Sequence, residues 1–116
     1  MSREIKFKLW LGHTKKMTYP HYLNEVGTII EFFGEDIITL QFTGLLDKNG
    51  REVYEGDIVQ AYRSGRKDLK LEIKYVDRGF VMWQDGDETP MDCIWFYEYK
   101  VIGNIYETPE LLQQHL

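Results

Sequence analysis

The sequence predicts a mainly β domain, a small barrel or sandwich, and three observations carry that expectation. Phe, Trp and Tyr make up 15% of the residues, and aromatic side chains favour strands over helices. Short runs of alternating apolar and polar residues recur along the chain. Turn sequences rich in Gly, Asp and Asn separate these runs at the spacing of antiparallel sheets. A chain of 116 residues holds one domain and is too short for two full-sized ones.

The first run is Arg3 to Trp10, where Ile5, Phe7 and Leu9 alternate with Glu4, Lys6 and Lys8. That period of two predicts a strand with one polar face. Residues 12–16 read as a polar turn, Met17 to Tyr19 as a short strand pairing back, and Pro20 as its end. From His21 to Gly27 no period is convincing, and the stretch reads as irregular. TIIEFF, Thr28 to Phe33, is rich in β-branched and aromatic residues and reads as a strand. Gly34-Glu35-Asp36 turns the chain, and Ile37 to Phe42 resumes it with Ile38, Leu40 and Phe42 on one face.

Asn49-Gly50 suits a tight turn, because both residue types tolerate positive φ. Glu55-Gly56-Asp57 is a second turn. Gly56 supplies a backbone angle that other residues resist, and the Asp57 carboxylate can bond nearby amides. This turn delivers Ile58 and Val59 into a strand that runs to Arg63. The polar stretch from Ser64 to Asp68 reads as a loop, and Leu69 to Val76 alternates cleanly as a strand. Asp77-Arg78-Gly79 turns, Phe80 to Gln84 returns, and Asp85 to Pro90 reads as an acidic loop. Cys93 to Tyr106 reads as two short strands bent near Tyr99 or Gly103. Thr108 can then cap a short helix with Pro109 and Glu110 in its first turn, which places Leu111, Leu112 and Leu116 on one face.

Composition excludes several classes. Hydrophobic residues at 43% and charged residues at 28% form an ordinary globular balance, against intrinsic disorder. No apolar run approaches the ~20 residues that cross a bilayer, and no signal peptide opens the chain, so a soluble cytoplasmic protein with no membrane partner is expected. A single cysteine, Cys93, leaves no internal disulfide framework. It sits among aromatic residues after an acidic loop, which suits an inert buried thiol better than a nucleophile. His13, His21 and His115 lack a metal-site spacing, so no metal and no cofactor is expected. The glycines stand at turns and do not form a phosphate cradle.

The net charge of −5 is unevenly spread. Residues 1–20 carry +4, residues 21–62 carry −6, residues 63–78 carry +3, and residues 79–116 carry −6. Segments of opposite sign can meet across a subunit interface, and exposed strand edges need covering, so a homo-oligomer is expected. An acidic total opposes nucleic acid at long range. The local exception is the basic hairpin of residues 63–74, where Arg63, Arg66, Lys67 and Lys70 stand near Trp83, Trp95, Phe96 and Tyr97. Cations beside aromatics can hold a single strand.

Three segments carry a family resemblance. IKFKLW at residues 5–10, FTGLLDKNGREVYEGDIV at 42–59 and YKVIGNIYETPELL at 99–112 resemble the YopX family of small phage and prophage proteins. The most specific part is the aromatic-Thr-Gly-Leu followed by the Asp-Lys-Asn-Gly turn and Tyr-Glu-Gly-Asp-Ile-Val. The resemblance implies an SH3-like small barrel over residues 45–116, closed by a C-terminal helical turn, with a β-rich part of residues 1–44 packed on it. It implies structural roles for the turn residues Asn49, Gly50, Gly56 and Asp57, and no catalytic residue. Residues 13–33 and 85–92 match no family pattern, so a role particular to this chain is expected there. The expected function is a non-enzymatic accessory module that self-associates or binds a host or phage protein. A nucleic-acid-binding accessory protein using the basic hairpin is the alternative.

Overall fold

The computed structural model describes residues 5–33, 36–63, 66–77, 79–84, 87–91 and 96–112. Of these, residues 23, 31–33, 63, 66–68, 87, 96 and 97 are described by their backbone alone. Within the described residues the protein is mainly β, with two five-stranded antiparallel sheets and one short α-helix.

The first sheet contains β1 (Lys6–Leu11), β2 (Lys16–Met17), β3 (His21–Tyr22), β4 (Ile37–Leu46) and β5 (Glu52–Tyr54). Its order is β2-β1-β4-β5, with β3 pairing β1 beside β2. The alternation that predicts β1 is only half its story. Leu9 is fully buried, as expected, but so is most of Lys6, at 9% exposure. The Lys6 ammonium pairs with the Glu52 carboxylate and lies 5.0 Å from the centre of the Phe42 ring. A long aliphatic stem with a paired charge can line a half-covered face, so both faces of β1 are occupied.

Two expectations for the next segment are corrected. Residues 23–33 form a helix, α1 (Leu23–Phe33), where the sequence predicts an irregular stretch and a strand. The Glu25 carboxylate accepts the Tyr22 amide at 3.0 Å, half of a capping box that opens the helix. Val26 is the buried anchor of α1, and Ile29 and Ile30 follow at helical spacing. The β-branched run favours a strand by propensity, but such preferences yield to tertiary packing.

The second sheet runs β10-β6-β7-β8-β9. Its strands are β6 (Asp57–Arg63), β7 (Arg66–Val76), β8 (Gly79–Gln84), β9 (Asp87–Pro90) and β10 (Phe96–Asn104). It is curled like half a barrel, and among the described residues its end strands β9 and β10 do not pair. Three readings are refined here. The polar loop stops short of Arg66, which already pairs with Arg63. Residues 87–90, predicted as loop, form the edge strand β9, whose acidic residues and Pro90 discourage further pairing. The final β stretch is one strand with two register shifts, between Phe96 and Glu98 and between Val101 and Gly103. The second shift falls at the predicted bend. The described residues then end on a 3₁₀ turn, η1 (Pro109–Leu112), which Thr108 opens by accepting the Leu111 amide on its carbonyl at 3.1 Å; Leu116 of the expected helical face lies outside the described residues.

One core fills the concave face of the second sheet. Val53, Val59, Ala61, Leu69, Leu71, Ile73, Met82, Met91 and Val101 pack there against Phe80 and Tyr99. Each fully buried aliphatic side chain contributes roughly 1.5–3 kcal/mol. Val53, from the first sheet, ties the two layers together.

Candidate functional site

The predicted turn residues organise the junction between the sheets. The Gly56 amide donates to the Ile73 carbonyl of β7 at 2.8 Å, and the Gly56 carbonyl accepts the Ile105 amide at 2.9 Å. The Glu55 amide donates to the Gln41 carbonyl of β4 at 2.9 Å. Gly56 has φ of +86°, and a Cβ there would lie 3.3 Å from the Tyr106 ring and 3.4 Å from Leu40. Conformation and crowding both require glycine.

Asp57 is buried, and its Oδ2 accepts the Tyr54 amide at 2.8 Å. Burial pushes its carboxyl up to about 6; the Tyr54 amide, Lys8 and Arg51 oppose that rise, and Asp47 adds to it. The other turn works differently. Gly50 has φ of +83° with open space around it, and its amide donates to the Asp47 carbonyl. Asp47 Oδ1 accepts the Asn49 and Arg51 amides at 2.9 Å each, and Oδ2 accepts the Val101 amide at 2.9 Å. Burial raises the Asp47 carboxyl, but these three bonds and the Arg51 charge outweigh it and hold the group below its ordinary value. With the Lys48 amide on the Tyr99 carbonyl at 3.0 Å, this loop covers the middle of the β10 edge. Sequence reasoning finds the Asn49-Gly50 turn and misses that Asp47 is its anchor. An aspartate two residues before such a turn is the signal.

Above Gly56 the two sheets part and leave an open cleft of about 220 Å³. Leu40 from β4, Ile73 from β7 and Ile105 beyond β10 line it, and the first two are themselves buried in the fold. Ile38 and Tyr75 stand at its lining while remaining 41% and 56% exposed. The Tyr106 ring forms a further wall, its plane stacked on Trp10 with centroids 5.5 Å apart.

Two carboxylates, Glu55 and Glu72, line the same space. Burial holds the Tyr106 phenol above its ordinary value, and the negative charges of Glu55 and Glu72 push it further the same way. Both carboxylates therefore act on the same phenol. Burial also raises the Glu72 carboxyl, opposed by Lys74. The Lys74 ammonium sits 3.8 Å from the centre of the Trp83 ring. Among the described residues, no hydrogen bond reaches the Glu72 carboxylate or the Tyr106 hydroxyl. Glu55 Oε1 accepts one long bond, from the Gln41 amide at 3.4 Å.

Other candidates are scattered. Lys70 lies half-buried on β7, opposite Gln60. The side chains of Arg63, Arg66 and Lys67, like those of Phe96 and Tyr97, lie outside the described residues, as do Trp95, Cys93 and His115. His13 contacts Asp36 at 3.3 Å on the surface, and His21, its side chain largely buried, approaches Glu25 at 3.9 Å. Among the described residues no group of His, Cys, Asp and Glu is placed to hold a metal ion, and no helix is long and apolar enough to cross a membrane.

Fold and junction define a two-sheet β protein hinged on a Tyr-Glu-Gly-Asp turn, with a small acidic-aromatic cleft beside that turn. The chain belongs to the YopX family: the family model described as YopX protein matches residues 13–113. No curated protein matches the chain. It is similar to a solved structure, protein EF1440 from Enterococcus faecalis, with a TM-score of 0.66 and 24% identity over 97% of this chain and 100% of that one. At that identity the likeness bears on the fold alone.

Proposed function

We propose that this protein is a non-enzymatic accessory module, phage or prophage in origin and cytoplasmic in the host, that acts by holding protein. Its partners are further copies of itself or a host or phage protein. In this reading the second sheet is an SH3-like small barrel left partly open, and the first sheet is packed on it. The observation that carries the proposal is the cleft. Ile38 and Tyr75 are large apolar side chains held exposed around Glu72 and the Tyr106 hydroxyl, to which no hydrogen bond is made among the described residues. Exposed apolar surface rimmed by polar groups marks interaction sites, and a space this small suits one side chain of a partner better than a cofactor.

The alternative uses the basic hairpin to hold nucleic acid. Lys70, Lys74 and Trp83 favour it, but Glu72 stands between the two lysines on β7, directly across from Trp83. Sedimentation velocity at tens of micromolar and fluorescence anisotropy with a single-stranded oligonucleotide separate the two readings. The proposal expects an oligomer, or a monomer that stays silent toward the oligonucleotide at physiological salt. Tight binding of the oligonucleotide at that salt, with a log–log salt slope of about −3 for four phosphate contacts, would replace it with the alternative.

A further inference from the structure

We propose that the cleft between the sheets is a socket for an arginine side chain presented by an extended segment of a partner protein; this rests on the protein-binding reading above. Three features of the cleft select that occupant. Its volume of about 220 Å³ falls below the roughly 300–1,000 Å³ of pockets that enclose a drug-sized ligand. One long side chain is what remains. The exposed apolar side chains of Ile38 and Tyr75 at its lining suit an aliphatic stem, and the flat Tyr106 ring, backed by Trp10, suits a planar cation lying on its face.

The polar groups then complete the match. Glu55 and Glu72 bring two carboxylates to the same ring, and a guanidinium presents five N–H donors in a fixed fork. Glu72 and the Tyr106 hydroxyl have no hydrogen-bond partner among the described residues, so both stand ready to accept. An anion would meet two carboxylates there and is excluded by charge. A neutral apolar side chain would cover the same carboxylates and leave them without water, which costs free energy. A lysine ammonium satisfies the charge but not the stacking, and it carries its hydration more tightly than a guanidinium does. The net charge of −5 adds a long-range attraction for a basic partner. Lys74, which faces Glu72 along β7, is the resident cation that the incoming arginine must outcompete. Its ammonium is already placed over Trp83, away from full pairing with Glu72.

The test is a titration of the isotopically labelled full chain with an acetylated, amidated pentapeptide, Ser-Gly-Arg-Gly-Ser, followed by amide chemical shifts. Matched peptides carry citrulline or lysine in place of arginine. The inference expects saturable shifts centred on Leu40, Ile73 and Tyr106, at least tenfold weaker with citrulline and several-fold weaker with lysine. Glu72→Gln should weaken arginine binding about tenfold and leave the melting temperature unimpaired; Glu55→Gln, at a carboxylate that already accepts the Gln41 amide, should weaken it less. No saturable shift at millimolar peptide, shifts centred elsewhere, or equal binding of the citrulline peptide would each overturn it. Sedimentation of the same sample keeps the broader reading separate. An oligomer that ignores the arginine peptide would sink the socket and leave the protein-binding reading standing.

Discussion

The segment from Asp47 to Asp57 and the cleft beside it are built from the same residue types and treat their polar groups in opposite ways. Asp47 accepts three amides and Asp57 one, and Gly56 bonds through both its N–H and its carbonyl. A few residues away in space, Glu72 and the Tyr106 hydroxyl accept nothing from the described protein. Both regions carry buried or half-buried carboxylates whose charged forms are penalised by burial. In the turn that penalty is offset, fully at Asp47 and partly at Asp57, by bonds that hold the sheets together. In the cleft the Lys74 charge opposes it, no hydrogen bond among the described residues does, and the Glu72 carboxyl stays raised. Unoffset polar burial is tolerated where it serves something other than the fold. The family motif thus accounts for the architecture, and the cleft is where a function has room.

The largest way to break this comparison is at its hinge. Gly56→Val should lower stability by about 4 kcal/mol, since a β-branched residue at φ of +86° is strained and its Cβ crowds Tyr106 and Leu40. Urea denaturation measures it; a midpoint near that of the wild type would mean that the turn relaxes without loss.

Asp47→Ala should come next, at about 3 kcal/mol, because three amides lose their acceptor and the Val101 amide on β10 is buried. Hydrogen exchange should show the Val101 amide opening at the same time. Unchanged protection there would show that water replaces the carboxylate without penalty.

Asp57 sharpens the comparison through pH. Its folded-state carboxyl lies at about 6, above its ordinary value of 3.8, so folding favours the protonated form. That contribution is complete below about 3.8 and disappears as pH rises through 6. Asn cannot titrate and still offers an oxygen to the Tyr54 amide. The wild type should therefore gain about 1.4 kcal/mol on Asp57→Asn between pH 7.5 and pH 5. Parallel denaturant melts at the two values check this, and a constant difference would place Asp57 at an ordinary carboxylate value.

What the sequence revealed follows the same division. Period-two alternation located β1 and β7, because side chains at successive positions of a strand meet opposite faces. Asn49, Gly50, Gly56 and Asp57 were legible as turns because their chemistry is local. Helix α1 was hidden by its own Thr28–Phe33 run, whose propensity points to a strand; the helical spacing of Val26, Ile29 and Ile30 was the weaker signal. Lys6 read as solvent-facing because its partner, Glu52, is distant in sequence. The cleft was illegible for that reason too. Ile38, Glu55, Glu72 and Tyr106 come from four separate segments, and their meeting depends on how Gly56 joins the sheets. Among the described residues, the cleft draws on none from 13–33 or 85–92, where the absence of a family pattern had pointed.

The most direct test of the claim that the cleft is kept for binding and not for the fold is the melting temperature of Glu72→Gln at pH 7. Burial disfavours the charged carboxylate, and no hydrogen bond from the described residues offsets it. A neutral isostere should therefore melt at or above the wild-type temperature. A drop of roughly 10 °C, the scale expected for losing an anchor such as Asp47, would show that Glu72 supports the fold and would contradict the account.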